Sequence, residues 1–255
     1  MDLTGKTAVV TGGATGIGFA TARCLATKGC TVVIAGRDAG RGRQAANALG
    51  SEGADVSFVQ TDVAHDDQVA ALAATAAGDG TIDIWFNNAG IEGPAGPVEV
   101  IGDDVVNDLL AVNVKGVYSG IRHAAKHMSS GGVIVNSASF VGTKAPVPIA
   151  VAYGATKAAV VSMTRSTAIG LGEQGISVFA VCPFIVDTPM LDRLTGGAGP
   201  EARAQFAAQF APSGKLTPPE DIGKVVTDLA SGTGVHSSGT VLLIDAGPSV
   251  EILET

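Results

Sequence analysis

Tyr153 and Lys157 stand four residues apart in a stretch of helical character, so their side chains share one face about a turn from each other. A phenol of pKa ~10 is a reluctant proton carrier near neutrality. A cation about 4 Å away, at an effective dielectric of ~20, is worth about 4 kcal/mol, enough to lower that pKa by roughly three units and make the phenol a usable acid and base. Ser139, in the run Asn136-Ser137-Ala138-Ser139 after an apolar strand-like segment, offers a hydroxyl to a substrate oxygen. Each residue alone has an ordinary explanation, as surface packing or a turn. Their joint appearance behind a phosphate-binding turn points to proton exchange with a carbinol or carbonyl oxygen.

That turn is Thr11-Gly12-Gly13-Ala14-Thr15-Gly16-Ile17-Gly18, which follows the first apolar strand and opens a helical run from Phe19 to Lys28. Gly12 permits a tight turn, Gly16 lets backbone approach a pyrophosphate, and Gly18 lets helix pack on strand, while the helix N-terminus offers unpaired N–H donors. The spacing is G-x-x-x-G-x-G and lacks the lysine of a Walker loop. At the end of the second strand, Gly36 occupies the place where an acidic residue would accept from an adenosine ribose, and Arg37 offers a forked donor to a 2′-phosphate. NADP is therefore favoured, with NAD as the alternative if Asp38 faces inward; the other role open to Asp38 is the cap of the next helix.

These groups need a frame. Short β-branched runs alternate with longer Ala-rich segments of helical period, the pattern of parallel strands covered on both faces. Strands are expected at Thr7–Thr11, Thr31–Ala35, Asp55–Gln60, Ile82–Phe86, Gly132–Ser137, Ser177–Val181 and Thr240–Ile244. This is an α/β chain with a doubly wound, parallel, seven-stranded sheet, Rossmann-like, with about six helices on its two faces and a single domain over residues 1–255. A helix with an irregularity is expected over Val98–Met128, loosened by Gly116 and Gly120. The Gly-, Ala- and Pro-rich stretch from Leu191 to Pro219 reads as a lid.

Composition narrows the classes further. The 255 residues are 46% hydrophobic and 16% charged, ample for a buried core, and the 16 Lys and Arg are scattered among 24 Asp and Glu, which argues against nucleic acid. Cys24, Cys30 and Cys182 make no C-x-x-C pair, as expected of a reduced, cytoplasmic protein. His123 and His127 lack the glutamate of H-E-x-x-H, so no metal is expected. No apolar run approaches the ~18 residues of a membrane span, and no leader is expected.

The glycine turn, Asn87-Asn88-Ala89-Gly90, Asn136 to Ser139 and Tyr153-Gly154-Ala155-Thr156-Lys157, in that order, resemble the classical short-chain dehydrogenase/reductase family over essentially the whole chain. The resemblance implies an NAD(P)-dependent oxidoreductase moving a hydride between the nicotinamide and a secondary alcohol or ketone, with Tyr153 as acid and base. It implies that Lys157 also binds the nicotinamide ribose, that Ser139 rather than Ser137 stabilises the substrate oxygen, and that Asn113 holds water near the lysine. Gly12, Thr15, Gly16, Ile17, Gly18 and Arg37 would bind the dinucleotide, Asp62 and Val63 would flank its adenine, and Asn88, Ala89 and Gly90 its ribose side. Pro183, Ile185 and Thr188 would reach the carboxamide. Phe184 replaces the family's glycine after Pro183, so a different backbone is expected there, and Phe179 stands where relatives often have asparagine. The substrate is expected between Ser139–Val151, Glu92–Pro97 and the lid with its Phe206 and Phe210. The apolar helix faces resemble those that build family homotetramers. A non-catalytic dinucleotide sensor or scaffold of the same fold is the alternative, which intact Ser139, Tyr153 and Lys157 disfavour.

Overall fold

The structure is a computed structural model that describes residues 2–233, 236–245 and 250–252. Seven parallel strands, β1 (Thr7–Thr11), β2 (Thr31–Gly36), β3 (Val56–Gln60), β4 (Ile84–Asn87), β5 (Val133–Ser137), β6 (Ser177–Pro183) and β7 (Val241–Ile244), lie within two residues of the segments expected from the apolar runs. An eighth, β8 (Val250–Ile252), pairs antiparallel with β7 and was not expected. The order across the sheet is β3-β2-β1-β4-β5-β6-β7-β8. It reverses between β1 and β4, where the carboxyl ends of the strands leave a crevice.

The strands read as unbroken apolar runs because both faces are buried. Neighbours such as Val9 and Val10, Trp85 and Phe86, or Ile134 and Val135 belong alternately to the two cores on opposite sides of the sheet. On one face Ile34, Val10, Phe86, Val135 and Phe179 form a continuous row through successive register pairs. Phe179, which stands where the family often has asparagine, thus completes a layer of core packing.

The helices that matter for the site are α1 (Gly16–Thr27), α2 (Ala39–Ser51), α3 (Asp66–Ala77), α4 (Asp103–Leu109), α5 (Gly116–His127), α6 (Val151–Gly172), α7 (Pro189–Leu194) and α8 (Gly199–Phe210). The expected irregularity is a π-helical turn over Leu110–Lys115, between α4 and α5. It lies ahead of Gly116 and Gly120, and these glycines do not loosen the helix. They let it approach the sheet: a Cβ on Gly116 would lie 2.9 Å from Val63 Cγ2, and one on Gly120 would lie 1.9 Å from Asn87 Oδ1.

Gly120 faces a buried polar chain that crosses the core. Trp85 Nε1 donates to Asn87 Oδ1 (2.7 Å), Asn87 Nδ2 to Asn136 Oδ1 (2.8 Å), and Asn136 Nδ2 to Thr164 Oγ1 (3.0 Å). Helix propensity alone says that Gly120→Ala should stabilise by up to ~1 kcal/mol. The added methyl has no space and would split this chain, so the expected result is a loss of about 1–3 kcal/mol in urea unfolding. A gain would show that the helix can shift freely off β4.

Candidate active site

The glycine turn is shaped as its residues require. Gly12 and Gly16 sit at φ +65° and +53°, in the left-handed region open to glycine. A Cβ on Gly18 would come 2.2 Å from the Gly12 carbonyl oxygen, and one on Gly13 would come 2.6 Å from Ile34 Cβ. Gly13 is a requirement that reading the turn did not single out, because it arises from β2 packing behind it. Asn88, at the end of β4, braces the turn from the other side: Nδ2 donates to the carbonyls of Thr11 (3.0 Å) and Gly12 (3.2 Å). The Thr11 hydroxyl in turn accepts the N–H groups of Asn88 and Ala89.

The first turn of α1 carries no acidic residue and no side-chain cap from Thr15, so its amides are available to an anion. The turn opens into a cleft of about 370 Å³, lined at this end by Gly12, Thr15, Gly16, Ile17, Asn88, Ala89 and Gly90. A side chain on Gly90 would fill the cradle, its Cβ lying 3.2 Å from Asn113 Oδ1 and 3.5 Å from Lys157 Nζ. These features fit the pyrophosphate and ribose of a dinucleotide.

At the tip of β2, Asp38 caps α2, accepting the Arg41 N–H at 3.0 Å and pairing with the Arg41 guanidinium at 3.3 Å. These bonds hold its carboxyl below the usual range. Arg37 beside it is exposed. Asp62, after β3, accepts the Ala64 N–H at 3.1 Å, and Val63 is buried against the helix at Gly116.

Tyr153 and Lys157 both line the cleft, one turn apart on α6. The Ser139 hydroxyl hydrogen-bonds the Tyr153 phenol, and its oxygen also accepts the Val141 N–H at 3.2 Å. Ser137 contributes differently: its backbone carbonyl accepts from Lys157 Nζ at 2.8 Å. Geometry therefore separates the two serines, placing Ser139 at the phenol and Ser137 behind the ammonium. A Cβ on Gly142, at φ +78°, would lie 2.0 Å from the Gly154 carbonyl, so the loop after β5 presses directly onto the start of α6.

The electrostatics differ from the simple phenol–cation estimate. Burial pushes the Tyr153 phenol up to about 12, and the bond to Ser139 only partly opposes this. Burial also pushes Lys157 down to about 8. The ammonium lies 5.6 Å from the centre of the phenol ring and spends a bond on the Ser137 carbonyl. Removing both groups from water therefore outweighs their mutual effect, and near neutrality the phenol holds its proton while the amine is charged. The expectation of a lysine-depressed phenol is corrected accordingly.

Asn113 sits fully buried in the π-helical turn. Its Oδ1 accepts the Ile91 N–H (2.9 Å), and its Nδ2 donates to the Ile91 carbonyl (2.8 Å) and the Thr156 hydroxyl (3.1 Å). Thr156 donates on to the Tyr153 carbonyl at 2.7 Å. Asn113 thus ties the loop after β4 to the helix carrying the phenol and amine.

Beyond β6, Pro183, Ile185 and Thr188 line the cleft. Phe184 needs no unusual backbone, since no described residue other than glycine has positive φ. Its ring stacks on Phe140 with centroids 4.8 Å apart and forms part of the cleft wall. Cys182 is buried behind Ser139. Burial pushes its thiol up to about 11, so it stays protonated. The segment over 191–219 contains most of α7 and all of α8, and its Leu191, Phe206 and Phe210 line the cleft. Among the described residues no group of three His, Cys, Asp or Glu could hold a metal, and His123 bonds Asp66.

A doubly wound sheet with a glycine turn at its switch point, opening onto a Ser-Tyr-Lys cluster, defines a dinucleotide-binding protein built for redox chemistry at a carbon–oxygen bond. A family profile described as enoyl-(acyl carrier protein) reductase matches residues 12–249. The chain is 38% identical over 245 residues to the cis-4-hydroxycyclohexanecarboxylate dehydrogenase of Sinomonas cyclohexanicum, covering 95% of this chain and 96% of that one. It is 40% identical over 253 residues to the (S)-acetoin-forming diacetyl reductase of Staphylococcus aureus, covering 95% and 97%. A solved short-chain dehydrogenase from Burkholderia cenocepacia in complex with NADP superposes with a TM-score of 0.86 at 33% identity, covering 97% of this chain and 99% of that one. The chain belongs to the classical short-chain dehydrogenase/reductase family. It is an NAD(P)-dependent oxidoreductase of alcohols and ketones.

Proposed function

We propose that this chain interconverts a secondary alcohol and its ketone, with Tyr153 giving or taking the proton on the substrate oxygen. The observation that carries this reading is the Ser139–Tyr153 hydrogen bond at the end of a cleft that begins at the glycine turn. The dinucleotide supplies or accepts the hydride. Ser139 orients the substrate oxygen toward the phenol and stabilises charge developing on it. Lys157 holds a positive charge beside the phenol, and its remaining donors would hold the nicotinamide ribose of a bound dinucleotide. Asn113 positions Ile91 and Thr156, and through them the start of α6.

Gly12, Thr15, Gly16, Ile17 and Gly18 would cradle the pyrophosphate, Asp62 and Val63 the adenine, Asn88, Ala89 and Gly90 the ribose side, and Pro183, Ile185 and Thr188 the carboxamide. NADP is the preferred dinucleotide on two grounds: Asp38 is turned into the α2 cap, and Arg37 is exposed beside it. The test is a reduction and oxidation screen over neutral ketones and secondary alcohols with both dinucleotides. Wild type should favour NADPH over NADH in kcat/KM. In Arg37→Ala the NADPH value should fall about 10–100-fold, the worth of a charged hydrogen bond, with NADH little changed. Equal losses with both would remove Arg37 from phosphate recognition.

Diacetyl and cis-4-hydroxycyclohexanecarboxylate, the substrates that the two relatives' names carry, both present a small carbon–oxygen centre to be oxidised or reduced, and the second also carries a carboxylate. The aromatic wall of Phe140, Phe184, Phe206 and Phe210 suits a moderately apolar substrate here. We place the whole chain in one catalytic domain, with residues 191–219 as its lid. Three free cysteines support a cytoplasmic setting, and among the described residues no helix is long and apolar enough to cross a membrane. Exposed Leu110 in the π-helical turn, Tyr118 on α5 and Ile169 on α6 support a homotetramer, against which a monomeric mass in sedimentation would count.

A further inference from the structure

The charged side chains among the described residues lining the cleft are Lys157, Glu92 and Arg193. Glu92, on the loop after β4, meets Arg193, on α7, and both line the same cavity as Ser139 and Tyr153. Arg193 Nε donates to Glu92 Oε1 at 2.6 Å and Nη2 to Oε2 at 3.2 Å, so the guanidinium fork takes both carboxylate oxygens. Glu92 is only 14% exposed against 60% for Arg193, which makes the anion the inner member of the pair and the cation the outer one. The carboxylate charge also reaches the phenol and holds its proton more tightly. Arg193 rides on a braced element: Arg203 of α8 pairs with Asp187 and with Asp192 of α7.

We infer that the Glu92–Arg193 pair is a specificity determinant that admits uncharged carbonyl or carbinol substrates and turns away those carrying a carboxylate. The inference rests on the reading of this cleft as the substrate site. An incoming carboxylate finds the Nε/Nη2 edge of the arginine fork already taken by Glu92. To use it, the substrate must displace Glu92 and leave a largely buried carboxylate unpaired, which is strongly unfavourable. If it does not, it lies beside a like charge against low-dielectric walls. A neutral substrate meets neither penalty, so discrimination comes from a repulsive element rather than from an added attraction.

The probes are 4-oxocyclohexanecarboxylate and its methyl ester, which share a reacting carbonyl and differ in charge. In wild type, kcat/KM should favour the ester by about tenfold or more, the worth of ~1.4 kcal/mol. In Glu92→Gln the freed Arg193 faces the carboxylate, and the ester-to-acid ratio should fall about tenfold. In Arg193→Gln the lone Glu92 should raise it. Loosening of α7 slows both probes alike and cancels in the ratio, so opposite movement in the two variants is a result that a purely structural bridge would not produce. A wild-type preference for the acid, a ratio near one, shifts in the same direction in both variants, or no shift in either, overturns the inference. Dissociation constants of both probes for the dinucleotide-loaded enzyme, by calorimetry, give the same ratio without turnover. Binding of ester over acid with turnover of neither keeps the charge filter and counts against the ketone reading above, whereas failure of the ester to bind overturns the filter.

Discussion

Tyr153→Phe should lower kcat by about 10²–10⁴-fold, the usual worth of a positioned acid or base, while the dissociation constant of the dinucleotide stays within about threefold. The substitution keeps the ring that packs against the cleft wall and leaves Lys157 bonded to the Ser137 carbonyl, so the site is emptied of one hydroxyl and little else. The direction of the pH dependence follows from the phenol's elevated pKa of about 12. Near neutrality it is protonated and ready to donate, so ketone reduction should be nearly flat between pH 6 and 8. Alcohol oxidation needs the phenolate, whose small population rises with pH, and its rate should climb from pH 7 to 9. In Tyr153→Phe both profiles should fall to a low rate that changes only where Lys157 loses its charge, near pH 8. Near-normal turnover would remove Tyr153 from proton transfer. A loss matched by an equal loss of dinucleotide affinity would make it a binding group instead.

The legibility of this chain follows the range of the interactions involved. Strands β1 to β7 were readable because a parallel sheet buried on both faces needs unbroken apolar runs, and such runs end where burial ends. The glycine turn and the Tyr153/Lys157 pair were readable because their geometry is set within a few residues. Interactions set between distant segments left no local trace. Glu92 and Arg193 are 101 residues apart, and nothing around either announces the partner. Asn87 and Asn136, 49 apart, are links in a buried polar chain that neither neighbourhood announces. Gly116 and Gly120 show the same limit in another form: read locally they weaken a helix, but what they accommodate is Val63, in the loop after β3, and Asn87, at the end of β4. The sign of the phenol shift is illegible in the sequence for a related reason. Spacing reports that a cation is near, whereas the degree of burial, which decides the balance, is a property of the assembled core.

That balance makes Lys157 a costly residue for the fold, and Lys157→Met should expose the cost. Burial lowers the amine from an ordinary 10.5 to about 8, so below pH 8 folding must carry a charged group into an interior where it is only 4% exposed. The depression corresponds to a penalty of order 3 kcal/mol. Between about pH 8 and 10.5 the folded chain has released this proton while the unfolded chain still holds it, so the lysine's contribution to stability rises with pH across that window. Tyr153 acts in the opposite sense only at higher pH, between its ordinary 10 and about 12, where the folded chain keeps the proton that the unfolded chain loses. Methionine fills a similar volume without charge but leaves the Ser137 carbonyl without its 2.8 Å donor, a loss of about 1–3 kcal/mol that offsets much of the gain. At pH 7 the variant should therefore be as stable as wild type or slightly more so in urea unfolding, while turnover falls a hundredfold or more. Between pH 7 and 10 wild type should gain about 2–3 kcal/mol relative to Lys157→Met. Parallel stability profiles would show that Lys157 is not desolvated in the folded chain. Retained turnover would show that its charge is dispensable. The expected pairing of unimpaired stability with lost activity would mean that the ammonium is kept for what it does to the reacting groups, at the expense of the core that surrounds it.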